Sequence, residues 1–108
     1  MKTIYKYTAP ITDLITLELP LGSKILSIQN QKEQFTFWVE VELDEKEVLE
    51  HHFVVYGTGH PINDHAVQLK YLATVQFNAG MLVFHVYGIL SNDRALIDTI
   101  KGERRENE

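Results

Sequence analysis

Cysteine is absent from all 108 residues. That excludes disulfides, thiolate metal sites and a cysteine nucleophile, and it fits a reducing compartment. Basic charge is also scarce: 10 Lys and Arg stand against 15 Asp and Glu, a net charge of −5. A general nucleic-acid binder displaces counterions with basic surface, so that function class is set aside. A small anionic ligand held at one local site stays open. No apolar run approaches the ~20 residues a membrane helix requires. The start, MKTIYKYTAPITD, carries no apolar core behind its lysine of the kind found in secretory signals. The expectation is a soluble, intracellular chain with no membrane partner. Catalytic signatures are missing too. There is no Gly-x-Ser-x-Gly elbow, and the serines sit in turn contexts. With no paired acid and base to name, neither turnover nor a cofactor is expected.

What is present is alternation. Phe35, Phe37, Val39, Val41 and Leu43 are apolar, against Thr36, Trp38, Glu40 and Glu42 on the other parity. Leu69, Tyr71, Ala73, Val75 and Phe77 repeat the pattern. A period of two marks half-buried strands. Further strands are expected at Thr3–Thr8, Leu14–Leu19, Lys24–Asn30, Val48–Gly57 and Met81–Leu90. The last is apolar on both faces, which places it centrally in its sheet. QNQKEQ and LDEKE read as connections between neighbouring strands, and the acidic ELDEKEVLE as a solvated hairpin tip. Asn78-Ala79-Gly80 suits a three-residue hairpin loop, in which Met81, Val83, His85 and Tyr87 share the face of Phe77. A two-residue loop would turn all four to the other side. After Gly88 the period changes. Ser91 or Asn92 could cap a short helix that Gly102 ends, leaving Glu103–Glu108 mobile. The expected fold is all-β, a small antiparallel barrel or sandwich of about seven strands with a short C-terminal helix. It comprises a β domain over 1–90, the helix over 91–102 and a tail over 103–108.

One loop interrupts this regularity. In VVYGTGHPIND the strand stops at Gly57-Thr58-Gly59-His60-Pro61. Two glycines permit unusual backbone and a close approach to the main chain, although the spacing matches no standard phosphate-binding loop. Stiffened by Pro61, the same stretch is equally a plain tight turn. His60, Asp64 and His65 share this region, yet no spacing among the five histidines matches a named zinc pattern, so no metal is expected. Trp38 stands on an otherwise polar strand face. It covers a second layer or a subunit interface, or it offers a planar surface on which a base could stack.

KTIYKY, LELPLGSKIL, the tryptophan strand, FVVYGTGHPI and TVQFNAGMLVFHVYG together resemble a family of small proteins of unknown function found in bacteriophages and prophages. The likeness runs from Lys2 to about Gly88, and YGTGHP is its most specific piece. VEVELDEKEVLEHH is longer than its usual counterpart, and the tail lies outside the likeness. The resemblance carries no catalytic residues. It implies a non-catalytic, phage-encoded binding protein of the host cytoplasm, a counter-defence sponge that sequesters a small nucleotide immune signal. The alternatives are an inhibitor that docks on a host defence protein, and a structural or accessory virion protein. In the first case Tyr56, Gly57, Thr58, Gly59 and His60 form the ligand-contact loop. Gly57 and Gly59 bring backbone N–H groups to a phosphate, Thr58 adds a hydroxyl, and His60 donates a further hydrogen bond. Tyr56 or Trp38 stacks on the base, with Lys6 and Lys70 as distant charge partners. Trp38 and the doubly apolar last strand leave apolar surface that a homo-oligomer could bury.

Overall fold

The computed structural model describes residues 1–62, 68–90 and 94–106. Seven strands are found among these residues: β1 (Lys2–Ala9), β2 (Leu14–Pro20), β3 (Lys24–Gln31), β4 (Gln34–Glu42), β5 (Val48–Gly57), β6 (Leu69–Phe77) and β7 (Leu82–Ile89). One helix, α1 (Arg94–Glu106), follows them. The strands form two antiparallel sheets, ordered β1-β4-β3 and β2-β5-β7-β6. The all-β expectation holds.

The alternation in β4 decides which side faces inward. Phe35, Phe37, Val39 and Val41 are at most 1% exposed and pack against Phe53, Val55, Val75, Phe77 and Val86 of the second sheet. Burying rings and branched chains between two sheets is the main stabilising term of this fold. The sandwich is clasped along one side, where β3 approaches β6. There the Asn30 side-chain amide donates to the Gln76 carbonyl (2.9 Å), and Glu33 Oε2 accepts from the Asn78 backbone N–H (3.1 Å).

β5 and β7 occupy the centre of the second sheet, as the two-faced apolarity of the last strand requires. Phe53 and Val55 point into the sandwich, whereas Val54 and Tyr56 point outward. Those two are nevertheless buried, because α1 lies over that part of the outer face with Leu96 and Ile100 against them.

Three local expectations are corrected. The LDEKE segment is not a hairpin tip between paired strands. β4 already has β1 and β3 as neighbours, so the chain leaves it for the other sheet and enters β5 beside β2. The β6–β7 turn holds four residues, with Phe77 opposite Leu82. Asn78, Ala79 and Gly80 all take positive φ before Met81 returns to right-handed geometry. Parity therefore matches that of a two-residue loop: Phe84 and Val86 face the core, and His85 and Tyr87 face outward. Finally, α1 runs through Gly102 to Glu106, because Gly102 lacks the left-handed backbone of a helix stop. One glycine costs a helix interior only about 1 kcal/mol. The proposed caps at Ser91 and Asn92 lie outside the described residues.

Candidate functional site

β5 ends at Gly57, and the chain folds back at once. The His60 N–H donates to the Gly57 carbonyl (3.1 Å), and Gly59 takes φ +89°, a conformation that branched side chains resist. The fold-back lays the His60 imidazole over Gly57. A Cβ at position 57 would stand 3.0 Å from His60 Cε1 and 3.1 Å from Nδ1, a tight contact that the ring would have to relieve by a small shift. Gly57 thus leaves room for the ring, and Gly59 suits the left-handed backbone.

The loop forms a ridge between two depressions. On the outer face of the second sheet, Thr58, Gly59, His60 and Ile62 enclose about 230 Å³ together with Tyr56, His85 and Tyr87. On the other side, Gly57, Thr58 and His60 meet Met81–Phe84 around a more apolar hollow of about 370 Å³. The first depression carries the polar chemistry. His85 Nε2 lies 2.8 Å from Thr58 Oγ1, and its Nδ1 lies 3.0 Å from Thr74 Oγ1. Thr74 Oγ1 is in turn 2.7 Å from the Tyr71 hydroxyl. Four side chains from β6, β7 and the loop are joined in one line. Tyr87 beside them stands edge-on to both Tyr56 and Tyr71, each at 5.7 Å.

Five of the residues expected to bind ligand, Tyr56 to His60, therefore line one concavity. Trp38 does not join them. It lies on the outer face of the other sheet, in register with Lys6 and Ser27, and the Lys6 ammonium stands 5.9 Å from its ring. Tyr56 lines the depression but is only 4% exposed, so its ring has no open face on which a base could stack. Lys6 belongs to the tryptophan face, and Lys70 sits on β6 in register with Gly88, outside the residues lining either hollow. Missing from the sequence-based set are Tyr71, Thr74, His85 and Tyr87. A three-residue turn would have sent His85 and Tyr87 inward, and strict alternation set Tyr71 with the core-facing Val75 and Phe77. Instead the β6–β7 register shifts between Tyr71 and Ala73, which turns Tyr71 outward to the face of Thr74.

The remaining described histidines are structural. His52 is buried, with Nδ1 3.0 Å from Thr16 Oγ1 and Nε2 3.8 Å from Glu50. Burial first, and then Lys101, hold its pKa below the ordinary value, against the opposing pull of Glu50. Burial likewise lowers that of neighbouring His51, whose Nε2 has no hydrogen-bond partner. Depressed values mean that the unfolded chain takes up protons first. Their contribution to stability is therefore complete above about pH 6.5 and is lost as pH falls through the lowered folded values. Urea midpoints should fall between pH 7.5 and pH 5.5, and a His51→Gln/His52→Gln variant should show a shallower fall. An equal fall in both proteins would remove the histidines as its cause. Asp64 and His65 lie outside the described residues, and among those described no three potential metal ligands cluster.

Fold and site together define a two-sheet β sandwich with a loop-rimmed, histidine-centred polar face. The chain belongs to the family described as Domain of unknown function (DUF7352), whose model matches residues 1–94. That span covers all seven strands and the loop. Neither the curated proteins nor the solved structures contain a match to the chain. No described helix is long and apolar enough to cross a membrane.

Proposed function

We propose that this is a non-catalytic binding protein that withholds a small anionic, nucleotide-like molecule at the Gly57–His60 loop. The observation that carries the reading is the position of His85, tied through both ring nitrogens to threonine hydroxyls beside that loop. An imidazole so engaged is a fixed hydrogen-bonding element rather than a general base with a free nitrogen near a substrate proton. Thr58, the Gly59 backbone and His60 supply donors along one rim, and Tyr71 and Tyr87 supply the aromatic surface that Tyr56 and Trp38 do not. The likeness to small phage proteins supports the biological role: a counter-defence sponge that holds a nucleotide immune signal in the host cytoplasm.

The same proposal includes a homo-oligomer. Leu21, Leu43 and Val48 are each more than two-fifths exposed, and Leu21 N–H bonds Glu47 O at the end of the sandwich where β2 meets β5. Apolar surface of this kind favours self-association. Light scattering at micromolar concentration should return at least twice the 12.5 kDa chain mass. A mass of one chain, unchanged on dilution, would contradict the assembly.

The rival function is docking on a host defence protein through the tryptophan face, where Ile4, 56% exposed, lies on the same side as Trp38. One experiment separates the two. The protein is mixed with lysate from defence-activated cells, repurified and heated, and the released small molecules are identified. An intact nucleotide supports sequestration. Co-purification of a host protein with no small molecule supports the rival, and a cleaved nucleotide would show turnover.

A further inference from the structure

The line Tyr71–Thr74–His85–Thr58 has a direction. A neutral imidazole carries one N–H and one lone pair, and each hydroxyl has a single hydrogen to give. Placing the ring proton on Nε2 therefore fixes every other link. With the proton on Nε2, His85 donates to Thr58 Oγ1 and accepts at Nδ1 from Thr74, which accepts from Tyr71. Thr58 then turns its own hydrogen outward, and the Tyr71 oxygen offers only a lone pair. With the proton on Nδ1, His85 donates to Thr74 and accepts from Thr58; Thr58 becomes the outward acceptor, and Tyr71 is free to turn its hydrogen outward. Hydrogen bonds in such chains polarise one another, which strengthens the coupling between the ends.

We propose that this relay makes the site read a polarised ligand, with an acceptor held at Thr58 and a donor presented to Tyr71. The inference rests on the binding function proposed above and narrows its ligand to a class: a nucleotide whose base carries an amino group. An anionic oxygen against Thr58 can only accept, so it selects the Nε2–H form. That choice obliges Tyr71 to accept from whatever lies over it. The geometry suits this assignment. Thr58 follows β5 and Tyr71 is on β6, with β7 between them. Links of 2.8, 3.0 and 2.7 Å with one imidazole between the first two set the span from the Thr58 hydroxyl to that of Tyr71, the scale of a mononucleotide from its phosphate to the far edge of its base. Tyr71 is 53% exposed and edge-on to Tyr87, which lines the depression, so it stands beside the depression at the far end of the relay. A base with a carbonyl in place of the amino group would set lone pair against lone pair.

Adenosine monophosphate and inosine monophosphate differ at that group, amino against carbonyl, and serve as probes. Calorimetry on the full chain should show about a tenfold preference for the adenosine compound, the worth of one hydrogen bond made rather than opposed. Tyr71→Phe, at an exposed position that leaves the core untouched, should bind the two alike. The carbon shifts of the His85 imidazole should move to the Nε2–H pattern when adenosine monophosphate binds. Equal binding of both probes by the unaltered protein would overturn the directional relay while leaving the binding function in place. A preference that survives in Tyr71→Phe would do the same. Binding of neither probe would remove the binding function and this inference together.

Discussion

Phe35→Ala is expected to cost about 3–5 kcal/mol of folding stability. The ring is fully buried on β4 and meets Phe77 edge-on at 4.9 Å and Phe84 at 6.3 Å. Phe77 and Phe84 are themselves 5.9 Å apart, so the three rings form a closed cluster that joins the first sheet to β6 and β7. Removing one leaves a cavity its neighbours cannot fill, because each is held by the other sheet's backbone. Domains of this size are stable by only about 5–15 kcal/mol, so the variant should unfold at a much lower urea concentration. Phe35→Leu keeps most of the volume and should lose less than about 2 kcal/mol. A Phe35→Ala unfolding free energy within about 1 kcal/mol of the parent would mean that the sheets do not meet through this cluster.

The second large effect is on binding. Gly57→Val should weaken nucleotide binding by at least about 100-fold, a loss of about 3 kcal/mol, while the circular dichroism spectrum stays that of a β protein. The new Cβ would stand 3.0 Å from the His60 ring, and the two further methyl groups of valine add to that crowding, so the ring is expected to shift from its seat over the strand end. With it goes the rim of the depression that His60 shares with Thr58 and Gly59. Gly59→Val reaches the same result by another route. Nothing lies within 4 Å of its added Cβ, but the φ of +89° strains any side chain, and a branched one most. Calorimetry on both variants separates ring placement from backbone conformation. Normal affinity in both would reduce the loop to a turn.

Much of the fold was legible because alternation is a direct readout of a two-sided sheet. The parity of Phe35, Phe37, Val39 and Val41 named the core side of β4 without any structural information. The two-faced apolarity of Met81–Leu90 likewise placed β7 internally. Where legibility failed, tertiary partners decided the outcome. Nothing local in LDEKE states that β4 already has two neighbours, so the step to the other sheet could not be read there. The positive φ of Asn78 and Ala79 is a cost to non-glycine residues, sustained by the Asn78–Glu33 clasp to a hairpin far away in sequence. A one-residue difference in that turn exchanged the faces of β7. The loop half of the site, Tyr56 to His60, was visible as a glycine-rich interruption. The sheet half was not: the turn decides the face of His85, and a register shift between Tyr71 and Ala73 that alternation does not announce brings Tyr71 to the face of Thr74. Trp38 drew attention as an aromatic on a polar face, but which sheet carries β4 depends on pairings that composition does not encode.

The most direct test of the central claim is a nuclear magnetic resonance titration of the isotope-labelled protein with adenosine monophosphate. Shifts concentrated at Thr58, Gly59, His60 and His85, with the nucleotide intact at the end point, are the expected result. Shifts confined to the Lys6–Trp38 face, a cleaved nucleotide, or no shifts at millimolar concentration would contradict it.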